Sequence, residues 1–515
     1  MSGLQVYGGD EITSIVIDPG SYTTNIGYSG SDCPESIIPS SYGQYKDTAK
    51  EENQKKTKVF SEQSIGLARP DYEIKRIVEN GEIADWDTAQ EQWDWVLKNE
   101  LFLKSNSGIP VLLTEPIWNS VENRKKSLEV LLEGMDFEAC YLSPVSTCVS
   151  FAAGRPNCLV VDIGHDTTSV SPVIDGMTLS KSSTRNFIAG RYINHLIETY
   201  LKPREIIPLF AIESRRPEFK RRTFNYQVDD SLFTYGNERG FYQECKETLC
   251  QIIPNSTLEK SQDELSTMTK RSIEAPWAEE IVFDNEARYG FAEQLFSPHR
   301  EDIPEDWPVT KDGVVETWHN DYIPLKRNKP SGGTNTATKE STPQAQPSPL
   351  KTEDTPNKTT TETAASGEST NTSETVNENG KRPIEDTTTS TAKNEDSEVS
   401  SNGNGVDIIG IADLVQRSIL DSDVDLRASL AHNVVITGGT SCIPRLNDRL
   451  MYELSKRLPA LKFRILTTGH LREKQYQAWL GGSILTSLGT FHQLWVGKEE
   501  YKEVGADRLL VDRFR

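Results

Sequence analysis

Two short stretches of this chain carry the residue types that hold phosphate. In the first, Asp18-Pro19-Gly20-Ser21 follows the β-branched run Ile15-Val16-Ile17 and precedes Tyr22 to Tyr28, rich in Thr, Tyr and Ile. The pattern predicts a buried strand, a tight turn and a returning strand. An acid, a glycine and a hydroxyl at the tip of such a hairpin suit phosphate. Backbone N–H groups line the turn, and Asp18 can hold a hydrated cation. The second stretch, Leu159 to Thr168, reads LVVDIGHDTT. A shift of 144 positions superposes Asp18 on Asp162, Gly20 on Gly164 and Thr23-Thr24 on Thr167-Thr168. Two equivalent strand–turn–strand units predict two similar half-domains facing each other across a cleft. The favoured ligand is a polyphosphate between the turns, with carboxylates on both sides for a divalent cation.

A third segment adds a different surface. Asn433 to Thr440, NVVITGGT, predicts a buried strand that ends in Gly438-Gly439-Thr440. Two glycines let the backbone approach a flat ligand, and Thr440 can cap the helix that follows. Placed after two phosphate-type hairpins, this is the wall expected for adenosine.

The elements that must carry these residues are legible in outline. Asp85 to Leu103 predicts the clearest helix, with Trp86, Ala89, Trp93, Val96 and Leu97 at helical spacing; Asp87 and Gln90 resemble a capping box. Val111 to Leu113 predicts a buried strand leading into Thr114-Glu115-Pro116, and Asn123 to Met135 an amphipathic helix. In that helix, Arg124-Lys125-Lys126 reads as a solvated face. The second half-domain opens at Cys158; Gly190 and Arg191 start one helix, and Phe241 to Ile252 forms another. Ser40 to Glu62 is polar and lysine-rich and reads as an exposed loop. Arg215-Arg216 with Lys220-Arg221-Arg222 reads as an import signal, a contact for an acidic partner or a solvated loop.

Composition limits the options further. At 515 residues with net charge −21, the chain is long enough for two or three cored domains and is not drawn as a whole to nucleic acid. Seven scattered cysteines without a C-x-x-C pair fit reduced thiols, not a disulfide framework or zinc site. The N-terminus has neither a basic start nor an apolar core, and no apolar run approaches the ~18 residues of a membrane helix. A soluble intracellular protein is expected. Ser331 to Gly405 holds 27 Ser or Thr among 75 residues and no aromatic, so it is expected to be a disordered insertion. Lys326-Arg327 and Lys381-Arg382-Pro383 flank or fall within it as weak localisation hints, and order is expected to resume at Ile408.

Taken together, VLLTEP at Val111, DVDLR at Asp423, VVITGGT at Val434 and WLGGSILTSLGTFHQLWVGKEEY at Trp479 resemble the actin family in order and spacing. That family lies within the superfamily of actin, hexokinase and heat-shock-chaperone ATPases. The YGGDE start, the long insertion and the DRFR end resemble its nuclear, chromatin-associated members. The resemblance implies an α/β, actin-like ATPase fold: two similar lobes, duplicated mixed-sheet domains, around a nucleotide cleft. Residues 1–39, 77–152 and 477–515 would form the first-lobe core, with 40–76 as a small outer subdomain. Residues 153–188, 298–325 and 406–476 would form the second-lobe core, with 189–297 as its outer subdomain.

The implied cofactors are ATP and Mg. Carried over position by position, the site comprises Asp18, Gly20, Ser21, Tyr22, Asp162, Gly164, His165, Gly190, Lys246, Glu247, Gly438, Gly439, Thr440 and Tyr476. Asp18 and Asp162 would hold Mg through water. Departures stand at Asn25, where the family has a phosphate-contacting lysine, at His165 for an aspartate, at Gln243 for an arginine and at Gln475 for a lysine. The water-positioning glutamine and histidine of the family fall on Val145 and Ser169, so no catalytic residue is expected and hydrolysis should be weak or absent. The resemblance further implies a non-polymerising nuclear subunit of histone acetyltransferase and ATP-dependent chromatin-remodelling complexes. Such a subunit would aid assembly and nucleosome or histone recruitment in transcription regulation and DNA repair. Its partners would be those complexes, monomeric actin and a long helix of a remodeller or scaffold subunit, with no membrane. A slow ATPase or sugar-kinase-like enzyme, and a filament-forming cytoskeletal relative, are the alternatives.

Overall fold

Ile15, Val16 and Ile17 are wholly buried, which is what a β-branched run does when both faces of its strand are covered. The computed structural model describes residues 13–46, 58–255, 270–309, 408–467 and 469–514. All of these belong to one compact unit, Met1–Ile323 with Gly405–Arg515. The Ser331–Gly405 insertion and the lysine-rich residues 47–57 lie outside the described residues, as do both weak localisation hints.

Strand Ile15–Pro19 pairs antiparallel with Thr23–Tyr28, and this hairpin sits inside a six-stranded sheet. The sheet runs Val496–Gly497, Ala139–Pro144, Pro110–Glu115, Ile15–Pro19, Thr23–Tyr28, Ser36–Pro39. A second sheet repeats the plan. Cys158–Ile163 pairs antiparallel with Thr168–Ile174, then parallel with Val434–Thr437, which pairs parallel with Ile465–Leu466. The equivalent parallel neighbours in the first sheet are Pro110–Glu115 and Ala139–Pro144. The repeat read from Asp18 and Asp162 is thus a repeat of topology, and the two-lobed mixed α/β architecture is as expected.

Each sheet has its own core, and a third cluster joins them. Val16 and Leu112 from one sheet meet Val160 and Val435 from the other through Cys148, Val149 and Trp479. The helices Val145–Ala152 and Gln477–Thr486 cross here. A Cβ on Gly481 would lie 1.7 Å from the Cys148 carbonyl oxygen, so only glycine permits the approach. Trp479 donates its indole N–H to the Val16 carbonyl at 3.1 Å and fixes this junction to the first strand.

Several local expectations change. Ser41–Tyr45 is not loop but a strand between Lys58–Val59 and Tyr72–Arg76, because alternate small and aromatic residues there bury Tyr42 against the first lobe. The helix Trp86–Asn99 is capped by Asp85, whose carboxylate accepts from Thr88 N at 3.0 Å, and not by Asp87 with Gln90. The helix expected over Asn123 to Met135 is α-helical over Val121–Glu129 and continues as a π turn, Val130–Gly134. Arg124 leaves the solvated face entirely. Only 3 % exposed, it forks onto Glu115 and donates to the Phe514 carbonyl at 3.1 Å. The five-residue basic cluster lies exposed on a small hairpin, with Arg215 and Arg216 beside Glu274 and Arg221 beside Glu205. All seven cysteines are free. Among the described residues no helix is long and apolar enough to cross a membrane.

Candidate functional site

The two hairpin turns are built alike. Gly20 N donates to the Thr23 carbonyl at 3.1 Å, and Gly164 N to the Thr167 carbonyl at 2.9 Å. The same bond therefore closes both turns, 144 residues apart. The backbone amides of Ser21, Tyr22, His165 and Asp166 have no acceptor among the described residues. Free amides on a tight turn form a concave donor surface for an anion.

The two carboxylates differ in their support. Asp18 accepts Asn25 Nδ2 at 3.0 Å and Thr114 Oγ1 at 2.6 Å. Burial pushes its pKa up, and those two hydrogen bonds oppose the rise. Asp162 makes no side-chain hydrogen bond among the described residues. Its register partners are Ser169 and Thr437, but the Thr437 hydroxyl donates to the Lys474 carbonyl at 3.3 Å. Burial, and then the charge of Asp18, push Asp162 up to about 7. A carboxylate whose ionised form is disfavoured by burial and by a second acid nearby is suited to a cation shared between them.

Gly438 turns the third segment across this floor. Its φ is +86°, and a Cβ there would stand 2.3 Å from the Ile163 carbonyl and 2.5 Å from Asp162 Oδ1. Thr440 caps no helix: it lies within the short 3-10 turn Gly439–Cys442, and the next α-helix begins at Leu446. Its hydroxyl instead donates to the Gly164 carbonyl at 2.7 Å, which Gly190 N also reaches at 3.2 Å. The glycine-rich loop is thereby tied to the second turn.

These elements enclose one cavity of about 610 Å³, within the ~300–1,000 Å³ range of small-molecule sites. Asp18, Gly20, Ser21, Tyr22, Asp162, Gly164, His165, Lys246, Glu247, Gly438, Gly439 and Thr440 all line it. Gly190 and Tyr476 stand behind the wall. The Gly190 carbonyl receives Lys246 Nζ at 3.4 Å, while Tyr476 packs on the cluster around Trp479 and leaves Lys474, Gln475 and Gln477 to face the cavity. Lys246 is buried, which lowers its pKa to about 8. Val145 and Ser169 both line the cavity.

Residues that sequence reasoning missed tie the second turn to the first lobe. Asp166, wholly buried in the second turn, accepts Arg76 Nη2 at 2.7 Å and Asn80 N at 2.9 Å, with Arg191 Nε 3.6 Å away. The Tyr22 and His165 rings stand 4.9 Å apart. Arg239 lies 4.0 Å above the Tyr22 ring and donates to the Tyr22 carbonyl. Burial, with Lys246, Arg76, Arg191 and Arg239 nearby, holds the His165 imidazole well below its usual pKa and so neutral at physiological pH. One signal was available, since Asp166 directly follows His165 within the repeated turn. Nothing in the sequence pairs it with Arg76.

The actin family matches residues 9–333 and 356–514. Actin-related protein 4 of Saccharomyces cerevisiae is 66% identical over 514 residues, covering 100% of this chain and 99% of the relative. Actin-related protein 4 of Eremothecium gossypii is 60% identical with the same coverage. The protein of that name from Schizosaccharomyces pombe is 32% identical over 513 residues, 98% of each chain.

Proposed function

The chain belongs to the actin family, and on that premise we propose that it is a non-polymerising subunit of nuclear chromatin complexes that holds a nucleotide without turning it over. The observation that carries the nucleotide reading is the convergence of both turns and the Gly438 loop on one cavity with free amides and two carboxylates. The residues present fit Mg and ATP. The amides of Ser21, Tyr22, His165 and Asp166 would take phosphate oxygens, and the Gly438–Thr440 wall with Lys246 and Glu247 would hold the nucleoside. Asp18 and Asp162 would hold the cation through water. Among the described residues no three metal-binding side chains converge, so the cation would rely on the ligand's own phosphates.

Retention without hydrolysis follows from two cavity-lining side chains. Val145 can neither accept a proton nor orient water, and the Ser169 hydroxyl is a poor base beside an imidazole. Positioned acid–base groups contribute roughly 10²–10⁴ in rate. Bound ATP then acts as a clamp between lobes, stabilising the fold by about 2.7 kcal/mol at a hundredfold excess over Kd.

The chromatin reading rests on the sequence resemblance to nuclear members of the family. It makes this chain a scaffold in histone acetyltransferase and remodelling complexes, seated with monomeric actin on a long partner helix and serving nucleosome recruitment. Two measurements test it. The purified protein should release intact ATP on denaturation, with little phosphate formed over hours; turnover at actin's rate overturns the retention reading. Affinity purification of the native protein should bring down acetyltransferase or remodeller subunits, and their absence overturns the scaffold reading.

A further inference from the structure

Arg239 belongs to the π turn Glu238–Tyr242 of the second lobe, yet apart from the neighbouring Tyr235 ring its contacts lie on the first. Its guanidinium donates to the Tyr22 carbonyl, stacks 4.0 Å from the Tyr22 ring and stands 3.6 Å from Glu62. Arg76 does the same for the preceding residue, donating to the Ser21 carbonyl at 3.4 Å. In a trans peptide the N–H points opposite the C=O. Holding the Ser21 carbonyl outward therefore aims the Tyr22 amide the other way, and that amide has no acceptor among the described residues.

Charge on the first turn is otherwise unfavourable for an anion. Asn25 is neutral and bound to Asp18. The cavity lining carries the carboxylates of Asp18, Glu115, Asp162 and Glu247 against the cations of Lys246, Lys474 and Arg472. None of those three cations is bonded to the first turn, whereas Arg239 is.

We propose that Arg239 is a positioning residue for polyphosphate: reaching across the cleft, it fixes Tyr22 and sets a positive charge behind the amides that face the ligand. This rests on the reading that a polyphosphate nucleotide occupies the cavity. It ties phosphate grip to the contact between the lobes, because Arg239 and Tyr22 belong to different lobes.

The test is calorimetric binding of adenosine, ADP and ATP with Mg to protein stripped of nucleotide with EDTA, for wild type, Arg239→Gln and Arg239→Lys. A hydrogen bond to a charged group contributes ~1.5–3 kcal/mol, so Arg239→Gln should lose roughly 10–100-fold for ATP. Its adenosine affinity should stay within about threefold of wild type. Arg239→Lys, which keeps charge but not the fork, should fall between the two for ATP and match wild type for adenosine. Equal losses for adenosine and ATP would mark a merely structural role and overturn the proposal, as would undiminished ATP binding by Arg239→Gln. Should Arg239→Gln not fold, Arg239→Lys decides by the same ratio. A wild-type protein that binds adenosine and ATP equally would instead overturn the polyphosphate reading itself.

Discussion

Arg76 and Asp166 meet at 2.7 Å across the cleft, one from the small three-stranded sheet beside the first lobe and the other from the second hairpin turn. Asp166 is wholly buried, and its carboxylate faces this partner, Asn80 N and Arg191. Removing one member of a buried pair is costly because the other charge is left without compensation, at ~3–5 kcal/mol when nothing else supports it. Here two groups remain, so Arg76→Met should destabilise by ~1–3 kcal/mol. It should also speed release of a fluorescent ATP analogue severalfold if the same bond, which ties the second turn to the first lobe, gates the cleft. Stopped-flow release at an unchanged rate would show that this bond does not gate the cleft.

Asp162 sets a pH dependence of uncommon sign for a carboxylate. Its folded-state pKa, about 7, lies above the ordinary 3.8, so the folded state binds the proton more tightly than the unfolded chain. Ionisation then costs the fold: the penalty begins as pH rises past about 4 and is complete above about 7. In nucleotide-free protein, Asp162→Asn should melt a few degrees higher at about pH 8 and lose the wild-type decline from pH ~4 to ~7. With Mg and ATP the order should reverse, because the variant loses the carboxylate that faces the cation. Melting scans with and without ligand separate the two effects, and an unchanged pH slope in the variant would discount Asp162 as their source.

Much of this site was readable from sequence because its grammar is local. A β-branched run, an Asp-x-Gly turn and a 144-residue repeat fixed both hairpins and, through them, both sheets. What was not readable depends on contacts between distant residues. Thr440 was expected to serve the helix after it, yet the Gly164 carbonyl, 276 positions earlier, takes its hydroxyl. Arg124 looked solvated beside Lys125 and Lys126, since nothing local announces that Glu115 and the Phe514 carbonyl lie over it. Tyr42 sat in a stretch whose lysines dominated its reading, although its alternation with Ser41 and Gly43 is that of a strand. The closing residues Arg76, Asp166 and Arg239 share this character, because a charge declares its sign in the sequence but not its partner.

Arg124 gives a direct measure of that buried pairing. It ties helix Val121–Glu129 to Glu115 and to the carbonyl of Phe514 near the C-terminus. Arg124→Met keeps much of the side chain's volume but leaves Glu115 buried without its cation. A loss of ~3–5 kcal/mol is expected, read as a lower urea midpoint, together with faster proteolysis of the segment after Val504. Neighbouring Lys125→Met, half-buried and paired among the described residues with the exposed Asp507, should shift the midpoint by less than about 1 kcal/mol.

The crossing at Gly481 should tolerate almost nothing. A Cβ would press to 1.7 Å on a backbone oxygen, which no side-chain rotation can relieve. Gly481→Ala should therefore cost ~3 kcal/mol or more, beyond ordinary overpacking, and act on both lobes at once because the two sheets meet there. Gly489→Ala is the control, with nothing within 4 Å of its Cβ. Thermal melting of the pair distinguishes a steric hinge from a general intolerance of helix substitutions.

Restoring the hydrolytic side chains tests the proposed retention of the nucleotide. Val145 opens the helix Val145–Ala152 and Ser169 stands opposite Asp162 in the second hairpin, and both face the cavity. The resemblance places a water-orienting glutamine and a histidine at these positions. If their absence is what limits turnover, Val145→Gln with Ser169→His should raise phosphate release roughly 10–100-fold, part of the ~10²–10⁴ that such groups supply. Each single variant should do much less, because orienting the water and relaying its proton act as a unit. Nucleotide affinity should change little, since neither residue belongs to the turns or to the Gly438 wall. A double variant that binds ATP normally and still releases no phosphate would move the cause elsewhere, to a cleft that Arg76, Asp166 and Arg239 hold too tightly closed for the water to be replaced.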